Sequence, residues 1–76
     1  MKKAEIEGKV TAIVSDILGG PVGLDASMDA TRGWDSLKHM QIIFAFEETF
    51  GIRLGADEVA NLSSVKALVA RAESCV

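Results

Sequence analysis

The sequence predicts an all-α fold, a small four-helix bundle with a long first loop and a short third helix. Three observations carry that prediction. Apolar residues recur at helical spacing in three segments, glycines and capping residues punctuate them, and strand signals are weak throughout. With 76 residues, 49% of them apolar, the chain is expected to form a single domain spanning residues 1–76. A chain of this size buries only roughly 60% of its unfolded surface, so the core must be small.

The first helix is predicted over residues 3–18. Ile6, Val10, Ile13, Val14 and Ile17 fall on one helical face, and Gly19-Gly20-Pro21 ends the pattern. Residues 19–34 show no sustained period and form a loop. Val22, Leu24 and Met28 are the residues expected to pin it to the core. Loops of this length are usually functional or disordered, and these apolar anchors favour an ordered one.

Asp35-Ser36 opens the second helix, and either side chain can cap it by accepting from a free first-turn N–H. The helix runs to Phe50 and stops at Gly51. Asp57 is expected to cap a short third helix over residues 57–61. Ser63 or Ser64 is expected to cap a fourth, with Val65, Leu68, Val69 and Ala72 on its apolar side.

The second helix carries two apolar faces. At about 100° per residue, Ile42, Ile43, Phe46 and Phe50 share one arc, assigned to the core. Leu37, Met40 and Phe44 lie on a roughly opposite arc, which Gln41, Glu47 and Glu48 share or flank. Such a helix is either buried on both sides or keeps one face for a partner. Carboxylates are not buried unpaired, so the second arc should reach water as an apolar patch with an acidic rim. That pattern suits docking to a basic surface.

Composition excludes several classes. The net charge is −3 and the eight Lys and Arg are scattered, so no nucleic-acid partner is expected. No apolar run approaches the roughly 18 residues of a membrane span, and no secretory stretch follows Lys2-Lys3. One cysteine, Cys75, permits no internal disulfide, and one His with one Cys cannot build a structural zinc site from those residue types. Cys75 is expected to be accessible. No catalytic residue is assigned. A nucleophilic Ser36 would need a base, and His39, three residues later on the core side, is not arranged as one. The simplest reading of Trp34 is a ring that only packs on the loop.

Gly33-Trp34-Asp35-Ser36-Leu37, followed by Met40, Ile43, Phe46, Glu47, Glu48, Phe50, Gly51 and Ile52, resembles the acyl carrier proteins. The likeness covers nearly the whole chain. It implies that Ser36 receives 4′-phosphopantetheine from coenzyme A, that Asp35 supports this modification, and that the terminal thiol of the arm carries acyl groups as thioesters. It also implies partners: a phosphopantetheinyl transferase, an acyl-loading ligase or acyltransferase, and condensing or acyl-transfer enzymes. The Leu37, Met40, Gln41, Phe44, Glu47 and Glu48 face would meet them. Lys38 stands where many fatty-acid carriers place an acidic residue. The expected protein is a discrete, cytoplasmic, monomeric carrier working in trans, in fatty-acid-like, polyketide or other specialised biosynthesis. An aminoacyl or peptidyl carrier on the same fold, and an unmodified helical interaction module, are the alternatives.

Overall fold

The computed structural model describes residues 2–75. Four helices follow in order: α1 (Lys3–Leu18), α2 (Ser36–Phe50), α3 (Ala56–Asn61) and α4 (Val65–Glu73). Among the described residues there is no strand, only an isolated antiparallel bridge between Ser27 and Ser64. α1 packs against both α2 and α4.

The apolar periods produce the core directly. Ile6, Val10 and Val14 of α1, Ile42, Ile43 and Phe46 of α2, and Val65, Leu68, Val69 and Ala72 of α4 are buried together with Leu62 and Trp34. Phe50, assigned to the same face of α2, is only half-buried, but its ring lies 5.0 Å from that of Phe46. It sits in the last turn of the helix and still packs against the core. Gly51 then stops α2 at φ 67°, a left-handed conformation that a side chain would strain. The carbonyl of Glu47 accepts from both Gly51 and Ile52 N–H there.

The long loop is ordered by its backbone as well as by side chains. Met28 N–H donates to the Ser63 carbonyl at 2.8 Å, and Val65 N–H donates to the Ala26 carbonyl at 3.0 Å. The loop is thereby stitched to the start of α4, which Ser64 caps by accepting from Ala67 N–H. Val22 and Met28 pack on the core as expected, but Leu24 is exposed and does not pin the loop. The bridge through Ala26 and Met28 holds the segment without it.

α3 starts earlier than its sequence suggests, and Asp57 is not its cap. Gly55 occupies the cap position, and the Glu58 carboxylate reaches back to accept from the Gly55 N–H at 3.3 Å. Asp57 instead lies in the first turn, where its charge still favours the positive end of the helix. α3 is lightly held. None of its residues is fully buried, and Glu58 ties it to α4 through Arg71 at 2.7 Å.

Two expectations follow from this packing. Phe46→Ala removes a fully buried ring and should cost about 3–5 kcal/mol in denaturant melts. Phe44→Ala, on the exposed side of the same helix, should stay within about 0.5 kcal/mol of the wild type. The second concerns Glu58, whose pKa lies below the usual carboxylate value because of its hydrogen bond from Arg71 and then that from Gly55. A lowered folded-state pKa stabilises the fold above the unfolded carboxylate range, and the gain is lost as the pH falls through the lowered value. Glu58→Gln should therefore show a small stability deficit at neutral pH, limited by the pair's exposure. The deficit should close on acidification, as urea midpoints measured across pH will show.

Candidate functional site

The long loop and α2 meet at Gly33-Trp34-Asp35-Ser36. Gly33 takes φ 93°, a conformation side chains rarely adopt, and the chain turns there to send Trp34 into the core. Asp35 is the cap of α2: its carboxylate accepts from Lys38 N–H at 2.9 Å, and its carbonyl accepts the first helical bond from His39 at 2.8 Å. Of the two capping candidates, Asp35 takes the role. The Ser36 hydroxyl is thereby spared from it, and Ser36 stands exposed as the first residue of the helix.

From Ser36 an apolar stripe runs outward along α2. Leu37 is 68% exposed, Phe44 61% and Met40 36%, so the second arc is surface and not core. Gln41 and Glu48 are exposed beside it. Glu47 differs from the expected free rim carboxylate. It is half-buried, and it accepts from Leu54 N–H at 2.8 Å. Its carboxylate holds the segment after Gly51 against α2, so Glu48 and not Glu47 is the free acid of the rim. Phe44, Glu47 and Glu48 nevertheless line one open groove with Ile52 and Arg53.

Trp34 does more than pack on the loop. It is 3% exposed, and its indole N–H donates to His39 Nδ1 at 3.0 Å. Indole nitrogen is a donor only, so Nδ1 must accept through its lone pair. The ring proton of neutral His39 therefore resides on Nε2, which lies 2.8 Å from the Val59 carbonyl and donates to it. Loop, α2 and α3 are joined through one imidazole. The sequence offered a partial signal, because a buried Trp seeks an acceptor and His39 lies on the core arc of α2. The Val59 carbonyl has no sequence signature. Cys75 is exposed as expected, and its sulfur lies against the Arg71 guanidinium.

The fold and this site define a small helical bundle with an exposed serine at a helix start, beside an exposed apolar face. Residues 8–72 match the phosphopantetheine attachment site family. The chain is 38% identical to the acyl carrier protein of Akkermansia muciniphila, across 96% of this chain and 95% of that protein. It is 34% identical to the acyl carrier protein of Acidothermus cellulolyticus, across 86% of this chain and 81% of that one. The chain belongs to the acyl carrier protein family, whose cofactor is covalently attached 4′-phosphopantetheine.

The residues present fit that group. A phosphodiester needs an accessible hydroxyl, and Ser36 supplies one at a helix start. The Ser36 and Leu37 N–H groups have no partner within the helix, and the helix dipole favours negative charge at this end.

The division of labour between neighbours is testable. Asp35→Ala removes the cap and should lower stability by about 0.5–2 kcal/mol. Ser36→Ala removes a hydroxyl that caps nothing and should melt within about 0.5 kcal/mol of the wild type.

Proposed function

We propose that this protein is an acyl carrier whose Ser36 hydroxyl is the attachment point for phosphopantetheine. The observation that supports this most strongly is the exposed Ser36 side chain beside an exposed apolar stripe on the same helix. When bound, the group supplies a thiol that holds acyl cargo as a thioester. The chain's own residues provide the address. Asp35 fixes the first turn of α2 and supports modification, and Leu37, Met40, Gln41 and Phe44 form the docking surface. Glu48 steers from the rim and Glu47 braces it.

A phosphopantetheinyl transferase modifies Ser36, an acyl-loading ligase or acyltransferase charges the carrier, and condensing or acyl-transfer enzymes take the cargo. The domain acts in trans as a cytoplasmic monomer and needs no catalytic residues of its own. Among the described residues no helix is long and apolar enough to cross a membrane. Lys38, half-buried in the first turn of α2, gives the docking surface a positive group close to Ser36. A pathway of fatty-acid-like, polyketide or other specialised chemistry would read that group when choosing this carrier.

Incubation with coenzyme A and a promiscuous phosphopantetheinyl transferase should add the mass of one phosphopantetheine to the wild type and none to Ser36→Ala. Modification of Ser36→Ala would overturn the assignment. Phe44→Ala should weaken acyl transfer to a partner without changing the fold, and Glu48→Lys should slow association most at low salt.

A further inference from the structure

His39 is a buried titratable group that carries no part of the proposed carrier function. It is 6% exposed, and both ring nitrogens are committed. Nδ1 accepts from Trp34, and Nε2 donates to Val59. The indole and imidazole rings lie 6.1 Å apart between centroids and are tilted by 31°, so they meet edge to edge through the hydrogen bond and not by stacking.

The two bonds respond differently to a proton. Imidazolium donates from both nitrogens. The Nε2–H bond to Val59 survives protonation unchanged in kind. The Nδ1 bond cannot, because a second N–H would then face the indole N–H across 3.0 Å. A proton on Nδ1 would thus remove the hydrogen bond to Trp34 and keep the one to α3. Trp34 is joined directly to the cap residue Asp35 and to Ser36 beyond it, and its own N–H donates to the Thr31 carbonyl at 3.3 Å. Any movement of the indole out of the core is transmitted first to the segment that sets Ser36.

Charged groups near the imidazole do not complicate this. Arg32 and Asp35 lie on the loop side and Lys38 on the same turn of α2. Asp57 and Glu58 flank Val59 on α3, and Glu58 is occupied by Arg71 of α4. Among the described residues none of these forms an ion pair with the ring. The imidazole therefore exchanges its proton against a neutral donor and a neutral acceptor.

We infer that His39 is a proton-sensitive positioning residue for the Ser36 attachment site: neutral, it clamps Trp34 and α3 to α2, and protonated, it lets go of Trp34 and loosens the 33–36 segment presented to the modifying enzyme. The effect on modification rests on the reading of Ser36 as the attachment point, whereas the clamp itself does not.

The test uses the whole chain. Trp34 is the only tryptophan, so its fluorescence reports the clamp without labelling. Over a fall in pH that leaves the fold intact, the emission should shift in a single step as the ring takes up a proton on Nδ1. Nitrogen-15 NMR of the wild-type ring at the alkaline end should show the Nε2–H tautomer. His39→Gln keeps one acceptor and one donor but does not titrate there, so its emission should stay flat. In a transferase assay, only the clamped fraction is competent. The KM for the wild-type carrier, divided by that for His39→Gln to cancel the enzyme's own pH response, should about double at the Trp34 midpoint and rise about tenfold one pH unit below it.

An Nδ1–H tautomer, or a wild-type emission that does not titrate, would overturn the clamp even if His39→Gln fails to fold. A KM ratio that stays flat through the midpoint would overturn the positioning role. A wild type that titrates as described but accepts no phosphopantetheine at any pH would instead refute Ser36 as the attachment point and leave the clamp standing.

Discussion

The molecule depends on how α2 divides its two faces. Ile42, Ile43 and Phe46 are sealed into the common core with side chains of α1 and α4, and this fixes the rotation of the helix about its own axis. Once the rotation is set, Leu37 and Phe44 have nowhere to go but the surface, and Ser36 is carried with them to the exposed start of the helix. A core-facing helix whose outer stripe is also apolar forgoes some burial in a small domain. The outer stripe makes physical sense as surface kept for other proteins.

Around this axis, the remaining elements are held by directed polar contacts as well as by apolar side chains packed on the core. The loop is stitched to α4 by two backbone hydrogen bonds, through Met28 and Val65. α3, with no fully buried residue, is held by the Val59 carbonyl on His39 and by Glu58 on Arg71. The segment after Gly51 is held by Glu47.

What the sequence reveals follows the same division. The limits of α1 and α2 are legible because amphipathic period and glycine stops are local signals, and Lys3–Leu18 and Ser36–Phe50 match the expected spans. The buried and exposed arcs of α2 are legible for the same reason. The start of α3 is not, because a backbone cap at Gly55 supported by Glu58 leaves less trace than the capping chemistry of Asp57. Glu47 reads as a rim carboxylate until the fold brings the Leu54 N–H to it. Trp34 and His39 are visible as single residues, but their pairing depends on ring orientation, and the third partner is a main-chain carbonyl. Tertiary polar contacts of this kind are written in geometry and not in residue type.

On the proposed function, the carrier is made active at Ser36, the first residue of α2. Fragment-ion mapping of the protein isolated from cells that make it tests this most directly. The added phosphopantetheine is expected on the peptide containing Asp35-Ser36-Leu37, with Ser36 as the modified residue. Phosphopantetheine on a different side chain, or its complete absence from protein purified alongside its native transferase, would contradict it.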